Sequence, residues 1–442
     1  NLWYWSERIE EHKSAVQQEV KELQQAFQLR QWEKVHYFSR GLSGKGVTTR
    51  YIWTALAVAD YYQQDYERAA LAARQALQLG GAAGCLSPVD LYFILGNALR
   101  FISRATEAQE AFVHAWQLFQ QGEASVDEGI SYKLLAAIAL ENFRLGNTAE
   151  ALNGYYAAYQ AVGELEQRCE MYSSWLFTFH HGKTDAVKLL QNHIGYRALF
   201  AGIRPYTRHC HAGKKLRIGY VSGDFREHVM YSFLFWLLAG YKKKKFRVYC
   251  YNMAAPQAAD AYTALLRPMV DGWRELAGQP YEAAARIIYE DQIDILFDLS
   301  GHSAGSGLPI FAWRPAPVQV SGLGYMDTTG LDTVDYFLAD KYTIPEGMDA
   351  ERFFTEKIIR LPSQFCYFGT ELPASQAAPC QHNGSILFGV FNHYRKITDE
   401  MLAAWCDILR QVPGSRLLLK SQIFVNLCVQ DKAYARMSAM GF

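Results

Sequence analysis

The sequence predicts two kinds of fold in succession. Stacked helical hairpins occupy residues 1–185, and doubly wound parallel α/β structure runs from about residue 213 onward. Three observations carry this reading. Small and aromatic residues recur at fixed offsets in the first part. Short β-rich runs alternate with helical stretches in the second. Prolines, which break helices, are nearly absent early, since Pro88 alone precedes Pro205. A chain of 442 residues is also too long for one ordinary core, and about two or three domains are expected.

The repeat signal is internal. Tyr92, Leu95, Gly96 and Leu99 are followed by Ala108, Phe112 and Ala115, and the same offsets give Leu135, Ile138, Ala139 and Asn142, then Ala151, Tyr155 and Ala158. A weaker copy reads Trp53, Leu56, Ala57 and Asp60, then Ala69, Ala73 and Ala76. These offsets match the tetratricopeptide pattern, in which small residues let the two helices of a hairpin approach closely. Turns between paired helices are expected at Gln63–Tyr66 and Arg144–Asn147.

Residues 186–212 read as a connector. Strands are then expected at Leu216–Ser222, Phe246–Asn252, Ile293–Leu299, Val318–Gly322, Val334–Ala339 and Lys357–Leu361. Helices are expected at Tyr231–Ala239, Ala258–Leu266 and Tyr281–Asp291. This first α/β lobe spans 213–383 and closes on the proline- and alanine-rich link Leu372–Gln381. A second lobe opens over 384–442 with strand Ser385–Asn392, helix Asp399–Gln411, strand Ser415–Lys420 and a helix near Asp431–Met440. Only its opening elements are present, so the native chain is expected to continue past Phe442, and the chain as given is expected to be too short for activity alone.

Composition narrows the function. Lys+Arg and Asp+Glu are equal at 44 each, which argues against nucleic-acid binding by counterion release. The run Lys242–Lys245 reads as a solvated turn. The eight cysteines show no Cys-x-x-Cys pair, which suits a reducing, cytoplasmic setting. No apolar run approaches the ~20 residues that cross a bilayer, so no membrane partner is expected. His209, Cys210 and His211 could be imagined as metal ligands, but no second cluster lies at ligand spacing, and no metal is expected.

Four strand-to-loop junctions carry the chemistry. They are Leu216 to His228 with the core Gly223-Asp224-Phe225-Arg226-Glu227-His228, Asp298-Leu-Ser-Gly301-His302-Ser303, Arg314-Pro-Ala-Pro317 running into Ser321 to Gly330, and Phe388 to Asp399. Glycines there let backbone approach a ligand, and imidazoles at strand ends can move protons. Together, in this order and behind helical repeats, they resemble glycosyltransferase family 41, the O-linked N-acetylglucosamine transferases, and in particular bacterial members with N-terminal tetratricopeptide repeats. The Gly-His-Ser form at His302 is one that bacterial members share.

The resemblance covers about residues 213–442 and implies a GT-B fold of two Rossmann-like lobes behind a repeat superhelix. It implies inverting transfer of a sugar, N-acetylglucosamine foremost, from a UDP-sugar to Ser or Thr hydroxyls of polypeptides presented by the repeats. It implies His228, His302 and Lys396 as catalytic, and Asn392, His393, Lys396, Gly324, Tyr325, Thr328 and Thr329 as donor- or diphosphate-binding. No metal or other cofactor is implied, and no Asp-x-Asp motif appears in the transferase region. Lys396, before a helix capped by Thr398, can stabilise a departing diphosphate. Two departures stand out: Val390 replaces the first Asn of the family's Asn-Phe-Asn stretch, and Val229 replaces the proline after His228. The alternatives are a transferase for another hexose or acceptor, and a repeat scaffold with a non-catalytic lobe. Which group is the base, and whether the protein forms oligomers, stay open.

Overall fold

The computed structural model describes residues 2–79, 86–182, 184–207, 215–364 and 380–441. By contacts the chain forms two units, 1–161 with 377–442 and 162–376. His209, Cys210, His211 and most of the link Leu372–Gln381 lie outside the described residues.

The first unit begins with helices α1 (Leu2–Gln28), α2 (Trp32–Gly44), α3 (Arg50–Tyr62), α4 (Tyr66–Gln78), α5 (Pro88–Phe101), α6 (Ala105–Gln120), α7 (Ile130–Arg144) and α8 (Thr148–Gln160). The residues that repeat in sequence are those that pack. Ala57, Ala69, Ala73, Ala76, Ala108, Phe112, Ala115, Ala139, Ala151 and Ala158 are all fully buried. Gly96 makes room for Phe112, since a Cβ there would lie 2.5 Å from the ring. A left-handed residue, Gln64, Ser103 or Gly146, reverses the chain within each hairpin, where the sequence placed two of these turns. Asp65 and the Ser87–Asp90 capping box then start α4 and α5. Arg100 donates to the buried carboxylate of Glu141 at 2.6 Å, tying α5 to α7.

The same unit ends with α14 (Cys380–Asn383), β8 (Leu387–Val390), α15 (Asp399–Gln411), β9 (Arg416–Leu419) and α16 (Leu427–Ala439), numbered after the elements given next. β8 and β9 pair in parallel. Tyr394, Ile397, Leu402, Ile423 and Val429 bury themselves with Ala105 and Leu145 of the hairpins.

The second unit holds α9 (Leu165–Phe179), α10 (Ala186–Gly195), α11 (Tyr231–Ala239), α12 (Ala261–Leu266) and α13 (Tyr281–Glu290). Its strands are β1 (Leu216–Ser222), β2 (Phe246–Asn252), β3 (Gly272–Glu275), β4 (Ile295–Asp298), β5 (Val318–Gly322), β6 (Tyr336–Asp340) and β7 (Lys357–Leu361). They form one parallel sheet in the order β3-β2-β1-β4-β5-β6-β7. β1, β2, β5 and β7 have the expected bounds. β3 was not expected. It is a four-residue edge strand with a mixed sequence, Gly-Trp-Arg-Glu, and Gly272 is needed because a Cβ would strike the Tyr249 ring at 2.4 Å. Strand order reverses between β1 and β4, the place where open α/β sheets bind ligands beyond their carboxyl ends.

Candidate functional site

The loops after β1 and β4 meet at this switch point. A Cβ on Gly223 would lie 2.7 Å from the Gly305 carbonyl, so only glycine allows the approach. Ser222 Oγ and Ser300 Oγ are 3.3 Å apart. His228 follows on the β1 loop with its side chain 39% exposed, 3.5 Å from Asp224. Its Nδ1 accepts from Met230 N at 3.3 Å, so the neutral ring carries its proton on Nε2. Service as a base through Nε2 would require the tautomer to switch. Burial raises the Asp224 carboxyl above its usual range, with His228 and Arg226 opposing.

The loops after β4 and β5 form a second, tighter construction. Asp298 ends β4 fully buried, accepting from Ser300 N, Gly301 N and Ser321 Oγ, the last at 2.6 Å. Burial outweighs these bonds and pushes its carboxyl up to about 6. Gly324 runs so close to Leu299 that a Cβ would lie 2.1 Å from the carbonyl oxygen. Thr328 and Thr329 are both fully buried, and their hydroxyls and the Thr329 amide all donate to Glu356. At Gly330 (φ +76°) a Cβ would fall 2.0 Å from the His193 carbonyl.

Helices α9 and α10 brace this loop from outside the sheet. Ser173 Oγ donates to His302 Nδ1 at 2.9 Å, because His302 Nε2–H is committed to Thr329 O at 2.9 Å. Arg197 Nε donates to Gly330 O at 2.5 Å. Tyr325 Oη lies 2.8 Å from both His180 Nε2 and His193 Nε2. His193 Nδ1–H donates to Leu189 O at 2.8 Å, so its Nε2 accepts from Tyr325, and His180 Nε2–H must donate to the same hydroxyl. Burial pushes His193 down to about 4, holds His302 well below the usual histidine range, and raises the Tyr325 phenol well above its own.

His302, Tyr325, Thr328 and Thr329 are thus brought together, with Gly324 threading between them. His302 was expected to be catalytic. The residue is 1% exposed and both ring nitrogens are engaged, with Ser173 and the Thr329 carbonyl, which ties it to the Thr329 loop. Sequence reasoning missed His180, His193, Arg197 and Glu356, which lie far from the glycine motif in the chain and show no local pattern.

The remaining expected residues lie in the other unit. Phe391, Asn392 and His393 after β8 face Lys420, Ser421 and Gln422 after β9 across an open cleft of ≈ 540 Å³. Thr398 accepts from Met401 N at 3.3 Å, capping α15 as expected. Asp399, in the first helical turn, is turned to Arg436 at 2.6 Å, so the exposed Lys396 keeps its charge clear of that carboxylate. Burial and the cations Arg395 and Lys396 hold His393 below its usual range. Lys420, stacked 5.8 Å from the Phe391 ring, adds a cation that the sequence reading overlooked, although it stands at a strand's carboxyl end.

Comparison with known proteins agrees with this arrangement. The sequence model described as Glycosyl transferase family 41 matches residues 200–371. The rice protein named "Probable UDP-N-acetylglucosamine--peptide N-acetylglucosaminyltransferase SPINDLY" is 34% identical over 264 residues, 58% of this chain and 28% of its own length. The petunia protein of that name is 38% identical over 217 residues, 48% of this chain and 23% of its own length. The chain therefore spans about a quarter of the length of the curated relatives it matches. An O-GlcNAc transferase mutant from Thermobaculum terrenum superposes with TM-score 0.73 at 24% identity, over 88% of this chain and 71% of that one, which establishes the shared fold. Helical repeats lead into a sheet whose glycine loops converge at its switch point, and over residues 200–371 this chain matches the model of glycosyltransferase family 41.

Proposed function

We propose that the protein is an inverting glycosyltransferase that moves a sugar, N-acetylglucosamine, from a UDP-sugar to Ser or Thr hydroxyls of polypeptides, with the repeat helices presenting the acceptor. The observation that carries this reading is the family match over 200–371, centred on glycine loops packed too closely for any side chain. The names of the curated relatives supply the donor and the peptide acceptor.

In this reading the transfer needs no metal. Lys396, assisted by Asn392 and His393, offsets the charge that develops on the departing diphosphate. Gly324, Tyr325, Thr328 and Thr329 form the rigid wall against which donor and acceptor are aligned. His228 exchanges protons at the acceptor hydroxyl after its tautomer switches, and His302 positions the wall. The test is sugar transfer from labelled UDP-N-acetylglucosamine to Ser/Thr peptides by the protein that carries this chain, with UDP-glucose and UDP-galactose in parallel. Labelled peptide with the first donor alone is expected. Transfer from another nucleotide sugar only would reassign the donor, and no transfer from any would leave the repeats as a binding scaffold.

A further inference from the structure

Beneath the Tyr325 loop lies a group of side chains that the transferase reading does not use. His180, His193 and Asp327 each direct one donor atom to a common point, with all three atoms within 4.8 Å of one another. His180 closes α9, His193 lies on α10, and Asp327 belongs to the glycine loop, so three separate segments converge. We propose that these three residues bind a divalent transition-metal ion of the zinc class, which staples the glycine loop to its two bracing helices.

Four features favour an ion over a plain hydrogen-bond cluster. Two imidazoles and one carboxylate suit Zn²⁺, Ni²⁺ and Co²⁺, and such three-residue sets hold zinc with a fourth position left for another oxygen. Tyr325 Oη, 2.8 Å from both histidine nitrogens, stands where that oxygen is needed. His193 donates Nδ1–H to the Leu189 carbonyl, the outer contact that metal-binding histidines make, and this fixes its Nε2 lone pair toward the cluster. His180 Nε2 and Asp327 Oδ2 are 3.7 Å apart, close to the spacing of neighbouring ligands on one tetrahedral ion. The cluster also has an entrance. His193 is fully buried, whereas the His180 side chain remains 30% exposed. An entering ion takes the place of the proton on His180 Nε2, which passes through water to Nδ1 of the same ring. Tyr325 turns its O–H away from His193 Nε2, so that both imidazoles bind as neutral ligands and the phenol oxygen offers a lone pair.

The proposal stands apart from the transferase reading, because metal binding is measured without turnover. The purified chain is stripped with chelator, then titrated with Zn²⁺ by calorimetry and with Co²⁺ by visible absorption. One equivalent of Zn²⁺ should bind and raise the melting temperature, and Co²⁺ should give the intense d–d bands of a tetrahedral site. His180→Ala and Asp327→Asn, at the open side of the cluster, should weaken binding by at least ~100-fold, since even outer-contact losses at metal sites cost 10–100-fold. Circular dichroism keeps the test valid by showing that these variants fold. A His209→Ala/His211→Ala variant should bind as the parent does. The proposal is overturned if the stripped chain binds no ion, if His180→Ala and Asp327→Asn bind normally, or if binding follows His209 and His211.

Discussion

The loop Gly324–Gly330 and the turn Phe391–Lys396 are both strand-end motifs, yet they are built in opposite ways. The first is closed, its hydroxyls, amides and imidazoles paired and its glycines pressed against backbone. The second is open, with Asn392 and His393 lining a cleft and Lys396 exposed in the same turn. A closed loop fixes geometry before any ligand arrives, whereas an open cationic turn supplies charge once an anion enters. Substitutions in the first should therefore damage folding, and those in the second should damage chemistry.

The largest effect is expected at Glu356, which accepts three hydrogen bonds while 5% exposed. Glu356→Ala strands those donors and should cost roughly 4 kcal/mol, read as a lower midpoint in urea unfolding. A change under about 1 kcal/mol would mean the loop does not depend on its carboxylate clamp. Lys396→Ala should reverse the pattern, lowering transfer by about 10²–10³-fold with an unchanged melting temperature. If the variant turns over normally, the open turn is not the diphosphate site.

Gly330→Ala should follow at about 2–3 kcal/mol, because its Cβ meets the His193 carbonyl in a left-handed backbone. The smallest effect concerns pH. Asp298 has a folded carboxyl raised to about 6 against 3.8 when unfolded, so the folded chain binds the proton first. Its contribution to stability is full below 3.8 and is lost as pH rises through 6. Asp298→Asn should therefore narrow its stability gap from the parent between pH 4 and pH 6, by about 2 kcal/mol. A gap that is constant over this range would show that Asp298 does not titrate there.

The sequence reading reached the strands because a parallel sheet buried on both faces is written as contiguous apolar runs. It reached the hairpins because alanine offsets repeat. It missed β3, whose four residues carry no such run, and it missed the brace, because Ser173 and His302 meet across 129 residues. Local pattern cannot encode a contact of that separation. The same limit applies to His302, whose hydrogen-bond partners, Ser173 and the Thr329 carbonyl, lie 129 and 27 residues away in the chain.

The split composition of the first unit has a consequence for synthesis. Its hairpins, within 1–161, leave the ribosome early, but the segment 377–442 that covers Ala105 and Leu145 follows 215 residues later. At about 5–20 residues per second that is a lag of roughly 10–40 s. Throughout this interval Ala105 and Leu145 await the segment that buries them.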